Sequence, residues 1–347
     1  MKKLKEELIK CLNQNIPFVF YRKPDSQSVK ALIQNDDSVN CVSDFSVPGF
    51  IFAPFDNREK SYIIRSDNSV NLSFPYKWAE GDIIKTETER AENPQKKIHI
   101  DLLQKAIHLI NNSNTRKIVL SRKEIVEIDK IDISVILEKL LNYYPQAFVY
   151  IWFHPITGLW MGATPETLLV VENNWFKTMA LAGTQSFKGT IDVIWDAKEK
   201  QEQQFVTDYI KEKLIDLNLE ISEPVTLKAG NLLHICSEIN GELGSAYELY
   251  SLIRTLHPTP AVCGIPKDNA KQFILENENY KREFYTGFLG EIGSASSITS
   301  LYVNLRCMKV NDTNINIYVG GGITKDSIPE DEWEETCIKS EVIRSVL

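Results

Sequence analysis

The sequence lacks any long apolar run, and its first ten residues, MKKLKEELIK, carry charges where a secretory signal needs apolar residues. No stretch approaches the roughly 18 apolar residues that a membrane-spanning helix requires. Cations are also in deficit: the formal net charge at pH 7 is -8, which disfavours a surface that coats nucleic acid or an anionic membrane. We therefore expect a cytoplasmic protein that binds neither nucleic acid nor membrane.

Cysteine pairs and nucleotide motifs are absent as well. The six cysteines include no CxxC pair and no zinc-binding spacing, so we expect reduced thiols and neither a disulfide framework nor a catalytic cysteine. There is no P-loop, and no GxGxxG motif follows an apolar strand. Nucleotide and dinucleotide sites of the common kinds are therefore disfavoured.

The length of 347 residues and the hydrophobic fraction of 43% fit one large domain with an N-terminal extension. The most polar connector runs from residue 80 to residue 97 and contains Pro94. It either separates a small N-terminal region, residues 1–95, from a catalytic body, residues 96–347, or is an ordinary long surface loop. The composition favours neither interpretation.

Apolar periodicity predicts helices and a larger number of strands. The predicted helical faces are Leu102, Leu103, Ala106, Ile107 and Ile110; Phe205, Tyr209, Ile210 and Leu214; and Trp333, Ile338 and Val342, in a helix that begins near Pro329. The predicted strands are KIVLSRKEIVEI (117–128), FVYIWFH (148–154), TGLWMGA (157–163), ETLLVVE (166–172), SLYVNLRCMKV (300–310) and INIYVGGG (315–322), the last two paired around NDTN. Because the strands arrive in runs with short connections, the predicted fold class is α+β with mainly antiparallel sheets.

Two pairs of carboxylates have a spacing with chemical meaning. Glu199 and Glu202 lie three residues apart near the start of one predicted helix, and Glu332 and Glu335 repeat the spacing in the last helix. Two such pairs could close on a hard divalent cation, which prefers oxygen ligands. Acidic residues are also common near helix N-termini, where the helix dipole favours them. Spacing alone favours the second interpretation.

Other candidates are weaker when each is taken alone. The three glycines after Val319 allow either the close approach of an anion to the backbone or a simple chain reversal. His234 lies in an apolar strand-like run, where a buried core histidine is the more common outcome. Arg306 interrupts an apolar strand, so it needs a buried anion or a structural ion pair. Lys117 merely heads a strand.

Nine segments of the sequence are informative when they are read together and in order. They are KIVLSR (117–122), GATPETLL (162–169), LAGT (181–184), KEKQEQ (198–203), HICSEINGEL (234–243), LHPTPAVCGIP (256–266), REFYTGFLGEIG (282–293), LRCMKV (305–310) and the GGGI, DS, P, EWEET and K of residues 320–339. In this order they resemble the chorismate-utilising enzymes, and within them the isochorismate synthases. The N-terminal hundred residues match less clearly.

The resemblance implies a fold in which stacked β-sheets, flanked by helices, enclose a deep polar site. It also implies a Mg²⁺ site, with Glu202 and Glu335 as ligands and Glu199 and Glu332 beside them. The implied substrate contacts are Arg306 and Lys339 for carboxylates, Gly183, Thr184 and Gly320 as a backbone cradle, Tyr285, Ala261 and Val262 as a wall, and His234 as an orienting group. One divalent cation and two fixed cations would then hold a dianion in an acidic protein.

The implied reaction adds water at C2 of chorismate while hydroxide leaves C4. Lys117 matches the base that activates the water, and Glu166 matches the acid that protonates the leaving hydroxyl. Lys117 must therefore give up its proton near neutral pH, and Glu166 must keep its own.

The relatives differ at single positions. Anthranilate synthases use ammonia and lack the lysine at position 117, and aminodeoxychorismate synthases carry a nucleophilic lysine where this chain has Ala182. Salicylate synthases share the lysine base but usually have threonine where this chain has Val262. An isochorismate synthase is therefore preferred, and a salicylate synthase or a silent chorismate-binding homologue remains an alternative. We expect a monomer without a glutamine amidotransferase subunit, in a menaquinone or siderophore pathway that the sequence leaves open.

Overall fold

The computed structural model describes residues 1–77, 95–128, 130–243, 249–294 and 297–347. Most of the predicted polar connector, residues 80–94, lies outside this part of the chain, so the boundary placed there stays a prediction. Within the described part, no helix is long and apolar enough to cross a membrane. All six cysteines are free, and Cys41 is exposed whereas the other five are buried.

Strands and helices follow one another as the sequence patterns indicate for an α+β protein. The strands are β1 (Phe18–Arg22), β2 (Ser28–Gln34), β3 (Cys41–Val42), β4 (Gly49–Ala53), β5 (Ser61–Arg65), β6 (Ser69–Pro75), β7 (Lys117–Glu127), β8 (Phe148–His154), β9 (Gly158–Thr164), β10 (Thr167–Glu172), β11 (Trp175–Ser186), β12 (Leu219–Ile221), β13 (Val225–Ala229), β14 (Leu232–Glu242), β15 (Gly264–Ile265), β16 (Phe288–Ile292), β17 (Thr299–Val303), β18 (Cys307–Val310) and β19 (Asn314–Ile323). The helices are α1 (Lys2–Gln14), α2 (Gln95–Asn111), α3 (Ile133–Tyr143), α4 (Ala197–Lys213), α5 (Leu249–Leu256), α6 (Lys267–Asn277) and α7 (Pro329–Arg344).

The strands form two large antiparallel sheets, which confirms the predicted fold class. The first has the order β15-β7-β19-β18-β9-β8-β1-β2-β6, and the second has the order β12-β14-β11-β10-β17-β16-β4-β5-β3, with β13 also paired to β14. Strands from the first 77 residues take part in both sheets. The N-terminal region therefore contributes to the same fold as the rest of the chain.

The space between the two sheets is filled with aromatic side chains over much of its length. Phe52 of the second sheet contacts Trp152 and Trp160 of the first, with ring centroids 5.1 and 5.9 Å apart, and it stacks on Phe284 at 4.2 Å. Large rings in offset and edge-on contact bury much apolar surface and hold the sheets at a fixed separation. Where this packing ends, the space between the sheets is lined by polar groups instead.

The segment SLYVNLRCMKV is not one strand, which corrects the sequence prediction. Its first part is β17 in the second sheet and its last part is β18 in the first, so the chain crosses between the sheets at residues 304–306. Asn304 fixes the crossing, because its amide donates to Phe284 O at 2.9 Å and its Oδ1 accepts from Tyr150 at 2.7 Å. Apolar periodicity missed the crossing because both strands are buried.

The buried face of α7 also differs from the prediction. Trp333 and Val342 are buried as expected, but Ile338 is 37% exposed. The face that is buried instead includes Glu332, Thr336 and Ser340. An apolar stripe could not reveal this orientation, because polar groups make up much of the surface with which α7 meets the sheet.

Strand β7 separates two environments. Lys117 and Val119 point between the sheets, whereas Ile118 and Leu120 pack in a core cluster with residues of α2 and α6. Further along the outer face, Arg122 donates to Thr336 Oγ1 of α7 at 2.8 Å. Side chains on one face of β7 thus reach the interior cavity, whereas Arg122 on the other face anchors α7.

Candidate active site

A small cavity lies between the sheets where the aromatic packing ends. Eleven of the fifteen residues singled out from the sequence line it: Glu166, Gly183, Thr184, Glu202, His234, Ala261, Val262, Tyr285, Arg306, Gly320 and Lys339. The other four, Lys117, Glu199, Glu332 and Glu335, stand immediately behind this lining. The structure therefore brings all fifteen to one place, although they come from segments more than 200 residues apart.

Lys117 is fully buried at the start of β7. Its Nζ lies 2.8 Å from Glu202 Oε1, an ion pair without the alignment of a good hydrogen bond. Gly322, on the adjacent strand, makes this meeting possible. A methyl group there would overlap Glu202 Oε1 and lie 2.9 Å from Lys117 Cε, so only glycine leaves room for both side chains.

The four acidic residues of the predicted metal site converge from α4 and α7. Glu335 and Glu332 lie close to Gly321, because a methyl group added to this glycine would lie 3.4 Å from Glu335 Oε1 and 3.5 Å from Glu332 Oε2. Glu199 comes close to Gly183, which adopts a φ of 70°. Burial and the neighbouring Glu335 charge raise the pKa of Glu332, as expected where carboxylates crowd together.

Lysine side chains form ion pairs with three of these carboxylates. Lys198 lies 2.5 Å from Glu332 and Lys339 lies 2.6 Å from Glu335, in addition to the Lys117–Glu202 pair. Within the described part of the chain, no three histidine, cysteine, aspartate or glutamate side chains are grouped so that they could hold a metal ion.

The four carboxylates nevertheless fit a hard cation, provided that the lysine side chains move away from them. Glu199 Oε2 and Glu332 Oε2 are buried without a hydrogen-bond partner. Buried acceptors of this kind demand an explanation, and an ion is one of the usual ones. Carboxylate oxygens are also the ligands that Mg²⁺ prefers. The metal itself stays a proposal.

Glu166 follows β9 and is almost completely buried. Burial raises its pKa to about 7, against the opposing influence of Lys117, Arg306 and Lys339. A carboxyl group with this pKa is substantially protonated near neutral pH, so it can donate a proton to a leaving group. The role of Glu166 as the acid stays a prediction.

Arg306 and His234 form a second functional pair. His234 Nδ1 lies 2.7 Å from the carbonyl of Gly183, so this nitrogen carries the proton, and Nε2 accepts from Arg306 Nη2 at 3.2 Å. Burial and the Arg306 charge lower the pKa of His234 to about 3, so the ring is neutral. Arg306 has no ion-pair partner among the described residues, and it adopts a φ of 46°, which is unusual for a non-glycine residue.

The remaining predicted contacts form the walls of the cavity. Lys339 Nζ donates to Gly320 O at 3.1 Å, and the Tyr285 ring stacks on Tyr318 with centroids 5.5 Å apart. Ala261, Val262 and Thr286 also line the cavity. Together the lining offers two cationic side chains, Arg306 and Lys339, and the aromatic ring of Tyr285, which suits a small ring-shaped dianion.

Two residues that contact the site were not singled out from the sequence. Lys198 pairs with a glutamate of the other acidic helix, and Arg282 donates to the backbone carbonyls of Val119 and Val262 at 2.7 and 3.0 Å. Arg282 thereby ties the base-bearing strand to the cavity wall. The available signals were the lysine next to Glu199 and the cation in REFYTG, but neither indicates a partner by itself.

The chain is similar to known proteins over most of its length. A family profile described as chorismate binding enzyme matches residues 65–347. Isochorismate synthase EntC of Escherichia coli K12 is 30% identical over 275 residues, which cover 74% of this chain and 69% of EntC. Anthranilate synthase component 1 of Lactococcus lactis is 27% identical over 278 residues, 73% of this chain and 58% of that protein.

The fold has a close counterpart among solved structures. The crystal structure of the proposed 2,3-dihydroxybenzoate-specific isochorismate synthase DhbC from Bacillus anthracis superposes with a TM-score of 0.81. The match covers 97% of this chain and 98% of that one at 23% identity, so the likeness concerns the fold. With a family profile over most of its length and a 30% identical relative, this chain belongs to the family of chorismate-binding enzymes.

Proposed function

We propose that this chain is an isochorismate synthase, which converts chorismate reversibly into isochorismate. The observation that carries the proposal is the pairing of a fully buried lysine, Lys117, with a buried carboxyl group of raised pKa, Glu166, around one cavity. Groups suited to opposite proton transfers are what an allylic exchange of hydroxyl groups requires. The similarity to EntC supports the same assignment.

The cavity supplies the charges that a dianionic substrate needs. Arg306 forms no ion pair with a carboxylate within the described residues, so its guanidinium is available to a substrate carboxylate. His234 holds the guanidinium from behind, and its neutral ring adds no further charge. Lys339 lines the same cavity as a second fixed cation, where it donates to Gly320 O.

Glu202 and Glu335 would hold Mg²⁺, with Glu199 and Glu332 beside them. When bound, the cation would neutralise and orient a carboxylate of the substrate. Lys117 can act as a base only after its ion pair with Glu202 opens, because an ammonium that neutralises a carboxylate has no lone pair to offer. Glu202 must therefore leave Lys117 and pair with another group before Lys117 can act as the base.

In the proposed step, Lys117 removes a proton from a water molecule as the oxygen bonds to C2 of the ring. The ring double bond shifts, the bond from C4 to its hydroxyl oxygen breaks, and Glu166 gives its proton to that oxygen, which departs as water. One water enters and one leaves, so the reaction is an isomerisation. Lys117 then holds an extra proton and Glu166 lacks one, and exchange with solvent restores both.

The proposal also covers which nucleophile reacts and which product is released. Lys117 favours water over ammonia, so no glutamine amidotransferase subunit is required, and Val262 favours release of isochorismate over elimination of pyruvate. We further propose a monomer in the cytoplasm. The alternative products of such a site are salicylate with pyruvate, or an aminated ring.

Product analysis tests the proposal. The purified protein is incubated with chorismate and Mg²⁺, with and without an ammonium salt, and the products are resolved by chromatography. We expect isochorismate alone in both cases, loss of activity with EDTA and recovery with excess Mg²⁺. Stoichiometric pyruvate would indicate a salicylate or anthranilate synthase, and unchanged chorismate would indicate a silent homologue.

A further inference from the structure

A second and much larger cavity adjoins the candidate active site. It is an open cleft of about 1600 Å³ between the sheets, bordered by residues 142–147, 187–191 and 226–231. Arg306 and Pro165 line both the cleft and the active-site cavity. The two cavities therefore meet at the residue that is proposed to bind the substrate.

The cleft is cationic in a protein whose overall charge is -8. Its charged lining residues are Lys177, Lys188, Lys228 and Arg306 against Asp25 and Glu238. Lys177 and Glu238 neutralise each other at 2.6 Å. Lys188 and Lys228 are exposed and, within the described part of the chain, form no ion pair, and Lys228 lies 3.8 Å from the centroid of the Phe187 ring.

Helices α4 and α7, which border the site, carry acidic residues instead. Helix α7 begins with Glu330, Asp331 and Glu332, and α4 contributes Glu199 and Glu202. A cleft with excess cations and low-dielectric walls concentrates field lines and raises the local concentration of an anionic ligand.

Resting on the proposed function, we propose that this cleft is the access route of the dianionic substrate, with Lys188 and Lys228 as steering residues that pass it to Arg306. Neither lysine reaches the reacting atoms, so both act on the approach and leave the chemical step unchanged. Their contribution is electrostatic and long-range, and it must weaken as salt shortens the screening length from about 10 Å at 0.1 M.

The test compares the double variant Lys188→Gln/Lys228→Gln with a control, Lys3→Gln/Lys213→Gln, which has the same net charge but whose changes lie outside the cleft. At low ionic strength we expect kcat/KM for chorismate to fall about fivefold in the cleft variant, with kcat unchanged. The difference from the control should vanish at high salt. Equal kcat/KM values and equal salt dependence in the two variants would overturn the proposal.

A steric variant tests the route separately from the field. Met179 lines the cleft, and Met179→Trp should narrow the passage and lower kcat/KM without a change in the melting temperature of a folded protein. A folded Met179→Trp protein with the wild-type kcat/KM would also overturn the proposal; if this variant does not fold, the lysine comparison decides alone. Wild-type turnover is measured first, so a failure of the proposed function appears as no isochorismate in any sample.

Discussion

Gly322→Ala is a sharp perturbation of the site, because adjacent glycines provide a matched control. At Gly322 the added methyl would overlap Glu202 Oε1 and lie 2.9 Å from Lys117 Cε. At Gly321 the same methyl would lie 3.4 Å from the nearest atom, Glu335 Oε1, which is an ordinary contact. Neither glycine adopts a positive φ, so alanine is compatible with the backbone at both.

The expected magnitudes differ in sign. Gly321→Ala should stabilise the protein by about 0.4–1 kcal/mol, because alanine restricts the unfolded chain. Gly322→Ala gains the same term but forces Glu202 and Lys117 apart, and overpacking of this kind costs about 1–3 kcal/mol. A displacement of about 1 Å at reacting groups can also lower activity on the order of 100-fold.

Urea unfolding and the rate of isochorismate formation measure both effects. We expect Gly321→Ala to keep most of the activity and Gly322→Ala to lose about 100-fold in kcat/KM while remaining folded. If Gly322→Ala is as active as Gly321→Ala, then Lys117 and Glu202 do not have to meet at this glycine, and the arrangement of base and acidic residues described here is wrong.

Three further predictions concern protons. Lys117→Gln should bind chorismate in a calorimetric titration but form no isochorismate, and near-normal turnover would move the base elsewhere. The kcat/KM of the wild type should decline as pH rises through about 7, because Glu166 loses its proton there; a flat profile would exclude it as the acid. The buried residues His99, His234 and His257 have pKa values of about 4, 3 and 3, so the unfolded state binds more protons below pH 6.5. Each should lower the free energy of unfolding by about 1.4 kcal/mol per pH unit as pH falls from 6.5 towards 4, and the raised pKa values of Glu166 and Glu332 oppose part of this decline. A free energy of unfolding that does not decline in urea titrations over this range would contradict the burial of the three histidines as neutral rings.

The fold class could be predicted from the sequence because it rests on local patterns, and such patterns also offered weak candidates for the site. The i,i+3 spacing of Glu332 and Glu335 on a helix is a local property, and so is the alternation that places Lys117 at the head of a strand. The nine ordered segments then supplied what spacing could not, namely which of the acidic and glycine-rich motifs meet.

The parts that could not be predicted depend on long-range packing. The crossing at Asn304 is set by hydrogen bonds to residues on other strands, and both flanking segments are equally apolar. Apolar spacing placed Ile338 on the buried face of α7. That prediction was wrong because α7 meets the sheet partly with polar groups such as Thr336. The Lys198–Glu332 pair joins two helices that are distant in sequence, and no local pattern indicates its partner.

Oxygen labelling tests the central claim, the addition of water at C2, most directly. The wild-type protein is given chorismate in water enriched in ¹⁸O, and isochorismate is analysed by mass spectrometry at low conversion, before the reverse reaction mixes the label. The account predicts one ¹⁸O atom in each isochorismate molecule, located in the C2 hydroxyl. Unlabelled isochorismate would mean that the C4 hydroxyl migrates within the molecule, and it would contradict the role of Lys117 as the base that activates water.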